Sequence, residues 1–296
     1  MKIKSLLFFL LLTTLARAQQ TFLIYRLTGN VTLNTIKQGS VPRIGQLLKS
    51  NDKLWLDKGA SLVLICEGYN AFTINKAGNH LMSGYLDSCT KEERSVTSEY
   101  FKYIWEELTE PHTTPENNRK KYMQNTGAVV RGCPGITIDP VFDTVNFREG
   151  NAIVKWKTSL PKEQISFVLY DSEKDGKLLF RSPVTKDHIL LDSIKKHAGD
   201  NEEVYWNIAI NGNEMCNRKF IKFWSNSDYN KFLNKIKKEL QLIQDKAEYY
   251  YATAFMLERD HFIAESLVYY KKAAALQPGK KRYMEPLNET MINQSW

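Results

Sequence analysis

The sequence predicts a multi-domain α+β protein in which two all-β domains precede a C-terminal α-helical unit. Short runs of β-branched, aromatic and aliphatic residues recur over 21–86 and again over 133–224, with turn residues between them. Apolar residues three and four positions apart then dominate 245–280, which is the periodicity of helices. The chain of 296 residues is long enough for two or three domains that each bury a core.

The first 18 residues have the pattern of a signal peptide. Two lysines precede a short apolar run over 5–15, and Ala16-Arg17-Ala18 fits an A-x-A cleavage site. We therefore expect cleavage after Ala18 and a mature chain that begins at Gln19. An uncleaved anchor is the alternative, but the apolar run is short for a bilayer span. No later stretch is long and apolar enough to cross a membrane, so we expect a periplasmic or secreted protein.

The charge balance gives little indication of a nucleic-acid partner. The formal net charge of +8 falls to +5 when the signal peptide, with three basic residues and no acidic one, is removed. Such a mild excess, spread over the mature chain, is not typical of nucleic-acid-binding domains. Export also argues against nucleic acid, so we expect no such partner.

The first β-rich region contains five predicted strands. They are 21–27, 31–36, 53–56, 61–66 and 71–74. Turn residues such as Thr28-Gly29-Asn30 and Lys58-Gly59 separate them. Many short strands at even spacing predict a small barrel or sandwich over residues 19–88.

Several motifs in this region occur in a recognisable order. They are Gly29-x-Val31, Gly45-x-x-Leu48, Asp52-x-Leu54, Leu62-x-Leu64 and Glu67-Gly68. This order resembles the periplasmic β-module of FecR-type regulators, and it implies a protein of the bacterial envelope. The glycines fit turn positions with positive φ. The family's cytoplasmic helix and membrane span are not found in the sequence, so we expect a binding or spacer module.

Residues 89–130 are predicted to form a helix and a linker. Apolar residues at helical spacing indicate a helix over 91–108, and Pro111 ends it. The proline- and asparagine-rich stretch 110–127 is typical of an exposed linker. Its basic run Arg119-Lys120-Lys121 indicates a solvated loop, with an acidic polymer or a membrane surface as the alternative partner.

A second all-β domain is predicted over 131–226. Its strand candidates are 152–157, 165–170, 188–191, 204–210 and 220–224. Trp156 in an early strand and Tyr205-Trp206 in a late one resemble the immunoglobulin or fibronectin type III sandwich, in which aromatics from both sheets fill the core. The stretch 171–176 predicts a hairpin turn; a calcium loop is the alternative, but its twelfth position is Ser182 instead of Glu.

Four cysteines remain after the signal peptide, and export permits disulfides. We favour the pairs Cys66–Cys89 and Cys133–Cys216, because each pair lies within or at the edge of one predicted domain. Four buried free thiols are the alternative. No cysteine or histidine spacing is that of a zinc site, so we expect no metal and no cofactor.

The C-terminal region, 227–296, is predicted to be helical. An amphipathic helix over 228–244 precedes two helical patterns within 245–280, and 282–293 predicts a final covering helix. The pair resembles one tetratricopeptide repeat (TPR). The residues that carry this resemblance are Tyr250, Ala254, Leu257, Ser266, Tyr270, Ala273 and Pro278, with Tyr250 and Leu257 where the repeat usually has Trp and Tyr.

No catalytic motif is found, so we expect that the protein is not an enzyme. A lone helical pair cannot bury its apolar face, and it needs flanking helices or a partner. We therefore predict an adaptor or scaffold that binds another envelope protein. One alternative is a carbohydrate- or cell-wall-binding module that uses Trp55, Trp156 or Trp224. The second alternative is a hydrolase without a recognisable motif, marked by two carboxylates with perturbed pKa values in a pocket.

Overall fold

The computed structural model describes residues 20–35, 38–90, 97–109, 135–150, 152–214 and 216–294. The protein is mixed α+β, and it divides into two compact units, Met1–Thr109 and Glu110–Trp296. The domain boundary that we predict between residues 226 and 227 falls inside the second unit. The expected cleavage site at Ala18 and Gln19, the predicted linker and Cys133 lie outside the described residues.

The N-terminal unit contains two antiparallel sheets, with strand orders β4-β1-β6-β7 and β3-β2-β5-β8. The strands are β1 (Thr21–Thr28), β2 (Val31–Thr35), β3 (Gln38–Ser40), β4 (Leu47–Lys49), β5 (Lys53–Leu56), β6 (Ser61–Cys66), β7 (Ala71–Ile74) and β8 (Gly78–Leu81). A 3-10 helix, Met82–Cys89, follows β8. All five strands predicted in this region are present, and β3, β4 and β8 are additional.

Side-chain alternation separates the core of this unit from its surface. In β5, Leu54 and Leu56 are buried, whereas Lys53 and Trp55 are exposed. The core contains Phe22, Ile24, Leu33, Leu54, Leu62, Leu64 and Met82, among others. A disulfide joins Cys66 at the end of β6 to Cys89, with their Cα atoms 5.6 Å apart.

Helix α1 (Ser98–Thr109) contacts the same unit through aromatic rings. The ring of Phe101 is 5.9 Å from that of Tyr25, and Trp105 is 6.2 Å from Tyr69. We predict this helix over 91–108. The described helix begins at Ser98, and residues 91–96 lie outside the described part of the chain.

The expectation of positive φ at the motif glycines is correct for two of them. Gly29 has φ +72° and Gly45 has φ +84°. A Cβ atom on Gly29 would lie 2.9 Å from the Cα atom of Ala60, so the turn also requires a bare backbone there. The expectation is wrong for Gly68. The following residue, Tyr69, takes the left-handed conformation at φ 63° instead.

The described part of the C-terminal unit contains two further sheets, of strand orders β14-β11-β9 and β10-β17-β15-β12-β13, with β16 paired to β15. Their strands are β9 (Ile136–Ile138), β10 (Thr144–Phe147), β11 (Ile153–Thr158), β12 (Ile165–Tyr170), β13 (Leu178–Pro183), β14 (His188–Leu190), β15 (Glu203–Ile210), β16 (Asn213–Glu214) and β17 (Lys219–Phe223). Strands β10 and β17 are parallel, and the other pairs are antiparallel.

Aromatic side chains from both sheets fill the core of this region. Trp156 on β11 and Trp206 on β15 are both buried, and their ring centroids are 6.4 Å apart. Phe167 on β12 stacks on both indoles, at 6.3 and 5.7 Å. Hydrophobic burial of this size is the main stabilising contribution available to such a core.

Several elements differ from the prediction. The strand predicted over 188–191 ends at Leu190, because the buried Leu191 begins helix α2 (Leu191–Ala198). Strands β9, β10, β13 and β16 are not predicted at all. Three of them have four residues or fewer, and β13 is an outer strand that ends in Pro183.

Four helices follow the last strand in the described residues. They are α3 (Asn226–Glu239), α4 (Lys246–Arg259), α5 (Ile263–Leu276) and α6 (Lys281–Gln294). Ser225 caps α3 by accepting the Asp228 N–H at 3.1 Å, and a 3-10 turn replaces the end of the helix predicted over 228–244. Asp245 caps α4 in the same way, through the Glu248 N–H at 2.8 Å. His261, with φ 62°, lies in the turn between α4 and α5.

The glycine turns allow a matched test of backbone strain against steric clash. Gly29 and Gly59 both have positive φ, but a Cβ on Gly59 would meet nothing within 4 Å. We expect Gly59→Ala to lower the free energy of unfolding by about 1 kcal/mol, from strain alone. Gly29→Ala should cost about 2 kcal/mol or more, because the clash with Ala60 adds to the strain. Equal midpoints in urea melts of the two variants would contradict the assignment.

Candidate functional site

The helical pair α4 and α5 is the part of the chain that sequence analysis singled out for binding. Among its TPR-like residues, five are buried: Ala254, Leu257, Ser266, Tyr270 and Ala273. Pro278 lies in an exposed turn, and Tyr250 is half-buried at the surface. Tyr251 instead of Tyr250 occupies the core, with its ring 5.5 Å from that of Tyr270. Tyr250 thus lies at the edge of the helical pair, and the adjacent Tyr251 lies in its core.

Neighbouring helices cover α4 on more than one side. Every residue from Tyr251 to Leu257 is buried, so α4 has no free apolar face in that stretch. On α6, the Tyr283 hydroxyl donates to Glu248 Oε2 at 2.6 Å, and Arg282 pairs with the same oxygen. The expected role of the last helix as a cover is thus met by specific contacts.

A single asparagine fastens the turn between α4 and α5 to strand β10. The Asn146 backbone N–H donates to the carbonyl of His261 at 3.0 Å. Its side-chain amide donates to the carbonyl of Asp260 at 2.8 Å, and its Oδ1 accepts the Trp224 Nε1–H at 2.9 Å. The indole of Trp224 in turn contacts Phe262 at 5.1 Å. The helical pair is therefore hydrogen-bonded to the sheet at a defined register.

A buried carboxyl group makes a second attachment. Glu265, in the first turn of α5, accepts the backbone N–H groups of Arg148 and Glu149 through Oε1, at 2.7 and 3.2 Å. Only 4% of Glu265 is exposed, and its Oε2 has no hydrogen-bond partner among the described residues. Burial raises the pKa of this carboxyl to about 7, although the backbone N–H groups of Arg148 and of Glu265 itself oppose the rise, as do the charges of Arg148 and Lys195.

The loop that Glu265 holds is also tied to helices α2 and α3. The Arg148 guanidinium lies 4.7 Å from the ring centroid of Tyr229 and donates to Asn226 Oδ1 at 3.2 Å. Lys195 on α2 donates to the Arg148 carbonyl at 2.9 Å. Sheet, loop and helices thus form one connected hydrogen-bonded junction.

Outside this junction, α4 and α5 present what we call the tyrosine–lysine surface. It consists of Tyr249, Tyr250, Tyr269, Lys246 and Lys272. The ring of Tyr250 is about 6 Å from the rings of both neighbouring tyrosines, at 6.0 and 6.1 Å. The Lys272 ammonium is 4.9 Å from the Tyr269 ring and 5.7 Å from the Tyr250 ring. Burial raises the pKa of Tyr249 and Tyr269, so both phenols remain neutral hydrogen-bond donors.

The remaining predicted residues have other surroundings. Trp156 is buried, Trp224 is half-buried in the junction, and Trp55 is 42% exposed on β5. Cys216 is disulfide-bonded, and Cys133, its predicted partner, lies outside the described residues.

The stretch proposed as a hairpin turn connects antiparallel strands β12 and β13. Asp171 Oδ1 accepts the Lys177 N–H at 2.8 Å, and Arg218 donates to the Ser172 carbonyl at 2.9 Å. Within the described ranges no group of three or more His, Cys, Asp or Glu side chains could hold a metal ion. The described part of the chain likewise has no helix with the length and apolarity needed to span a bilayer.

Comparison with known proteins identifies no family. No family model matches the chain, and a search of the curated proteins finds no similar sequence. The candidate site therefore rests on its geometry. Sequence analysis missed Asn146 and Glu265, because each acts on backbone groups more than 110 residues away, separations of 114 to 117. Sequence analysis also missed Tyr249 and Tyr269, although each belongs to a run of consecutive tyrosines.

The raised pKa of Glu265 predicts that the stability of the protein depends on pH. Its folded pKa is raised from 4.5 to about 7, so its contribution to stability is full below pH 4.5 and is lost as the pH rises through 7. Glu265→Gln keeps the acceptor oxygen and removes the charge. We expect the variant to lose up to about 3 kcal/mol of this pH dependence in urea melts. Glu163→Gln, at an exposed position, is the control, and an unchanged slope for Glu265→Gln would refute the assignment.

The side-chain hydrogen bonds of Asn146 predict a large loss of stability when this side chain is shortened. Asn146→Ala leaves the Asp260 carbonyl and the Trp224 indole N–H without their partner. We expect a cost of about 2–3 kcal/mol in the free energy of unfolding, because two partly buried polar groups lose their hydrogen-bond partner. Asn213→Ala, on the exposed strand β16, is the matched control and should stay within about 0.5 kcal/mol of the wild type. A similar small change for Asn146→Ala in thermal or urea melts would show that the junction is not needed.

Proposed function

We propose that this protein is an exported, non-catalytic adaptor or scaffold of the bacterial envelope that binds another protein through the tyrosine–lysine surface. The observation that carries the proposal is the junction of Asn146 and Glu265, which holds the helical pair on strand β10 and the loop after it. Because this surface is held rigidly, little conformational entropy is lost when it binds a partner. Tyrosine is enriched in protein interfaces, and it supplies a large contact area with a polar tip.

The chemistry of the surface favours a partner with acidic groups. The charged groups that act on Tyr269 are the cations Lys272 and Arg148. Lys246 and Lys272 are both exposed and lie beside the tyrosine rings. Cations at the edge of an aromatic patch increase the association rate and specificity for a partner of opposite charge.

The proposal also assigns a known type of fold to each of three parts of the chain. A sheet of three strands and a larger sheet around buried tryptophans support an immunoglobulin- or fibronectin-III-like sandwich. The small buried residues Ala254 and Ala273 between α4 and α5 support a TPR-like pair. The positive φ of Gly29 and Gly45 supports a FecR-like module.

Export is supported by the cysteines. Cys66, Cys89 and Cys216 are all disulfide-bonded, and disulfides persist mainly in oxidising compartments. The signal-peptide pattern of the first residues agrees with this location.

Support for the hydrolase alternative is weaker. Glu265 and Asp260 have raised pKa values, but Glu265 accepts backbone N–H groups in the junction, and Asp260 lies in the turn that Asn146 bonds.

The test is capture from envelope extract with the mature protein from Gln19 as bait. Removing the helices would strip contacts from β10, so point variants of the surface are better than a truncation. We expect the wild type to capture a specific protein that Tyr250→Ala/Lys272→Glu loses. With the purified partner, the affinity of the double variant should fall by about tenfold or more, because an aromatic anchor and a favourable charge are removed.

Lys196→Glu, on α2, is the matched control, since it makes the same charge change at another exposed lysine. It should capture the partner as the wild type does. Equal capture by all three baits, or capture of no protein by any of them, would rule out a function of this surface as an adaptor site.

A further inference from the structure

The outward face of the sheet β3-β2-β5-β8 carries one exposed tryptophan among small polar side chains. In the strand register, Trp55 lies between Thr32 on β2 and Asn79 on β8. Asn34 and Lys53 continue the same face, and Leu81 is its other exposed large apolar residue. An indole that is 42% exposed at the centre of a sheet face needs an explanation, because burial of such a ring is favourable.

Hydrogen bonds hold the Trp55 indole in one orientation. Its Nε1–H donates to Asp57 Oδ1 at 2.8 Å, and the Asn30 side-chain amide donates to Asp57 Oδ2 at 3.2 Å. The backbone also fixes Asp57, which donates to the Asn30 carbonyl at 3.1 Å. Trp55 makes no ring-stacking or cation–π contact with the part of the chain that the structure describes. The ring is therefore preorganised, and its exposed part is available to a ligand.

The surroundings of the ring decide which ligand it fits. A protein hot spot is a well-packed patch of several large side chains, whereas Trp55 has an amide and a hydroxyl as its cross-strand neighbours. A pyranose ring with equatorial hydroxyls has flat C–H faces that can cover an indole, and its hydroxyls need polar partners. Thr32, Asn79 and Asp57 supply donors and acceptors at the edge of the ring.

We propose that the Trp55 face binds a sugar ring of a polysaccharide with equatorial hydroxyls, with the indole stacked on the pyranose and Asn79 and Thr32 bonded to its hydroxyls. The site belongs to the N-terminal unit, and it does not depend on the adaptor function of the helical pair. Among the tryptophans whose side chains the structure describes, Trp55 is the most exposed to solvent. Trp156 and Trp206 are buried, and Trp105 and Trp224 are half-buried against other rings.

The test uses the full mature chain. Insoluble peptidoglycan, cellulose and chitin serve for co-sedimentation, and cellohexaose and chitohexaose serve for titration. Titration is followed by the indole N–H resonance of Trp55 in NMR spectra. We expect the wild type to bind at least one of these polymers, with the Trp55 resonance shifting on addition of the matching hexasaccharide. Trp55→Ala should weaken binding by about tenfold or more, and Trp55→Phe by less, because part of the stacking surface remains.

Ile44→Ala is the control, since Ile44 is an exposed apolar residue of the same unit outside the strands of this sheet. It should bind as the wild type does. Thermal melts check folding. If Trp55→Ala is unstable, co-sedimentation of Trp55→Phe, together with the shift of the Trp55 resonance in the wild type, keeps the test valid. No binding to any polymer, or equal binding by the Trp55 variants, would overturn the proposal. Capture of the adaptor's partner by Trp55→Ala is unaffected in either case, so the two proposals can fail separately.

Discussion

The C-terminal unit depends on the hydrogen bonds of Asn146. A pair of helices has more apolar surface than it can bury by itself, so it needs a fixed neighbour. Strand β10 provides it, because Asn146 bonds two successive carbonyls in the turn before α5 and the indole of Trp224. Those carbonyls belong to a turn with a left-handed residue, His261, whose backbone would otherwise need water. The same bonds set the position of α4 and α5 on the sheet.

Glu265 shows how a buried charge can serve orientation more than stability. Removing a carboxylate from water is unfavourable, and the raised pKa reports that penalty. One carboxylate oxygen, however, accepts hydrogen bonds from two backbone N–H groups of the β10–β11 loop. This loop contains Arg148, whose guanidinium contacts Tyr229 and Asn226. An apolar residue at this position would leave both N–H groups unsatisfied. Polar groups of this kind select one arrangement among several of similar hydrophobic burial.

Both candidate surfaces follow from the periodicity of the element that presents them. On β5 the two-residue period directs Leu54 and Leu56 to the core and leaves Trp55 on the outer face. On α4 a shift of one residue separates Tyr251, which packs against Tyr270, from Tyr250, which faces the lysines. In each case a rigid element holds the aromatic ring. Binding residues on strands and helices are held more precisely than those on loops.

Local patterns in the sequence determined much of the fold. The alternating strands of the N-terminal unit, the caps Ser225 and Asp245, and the helical pair follow from interactions within a few residues. Tertiary structure alone decided the rest. The short strands β9 and β10 exist because they pair with β11 and β17, and Glu265 acts on a loop 116 residues away. Which of two adjacent tyrosines is buried depends on what packs against the helix. A one-dimensional pattern cannot contain that information, because the contacts are made between segments far apart in the chain.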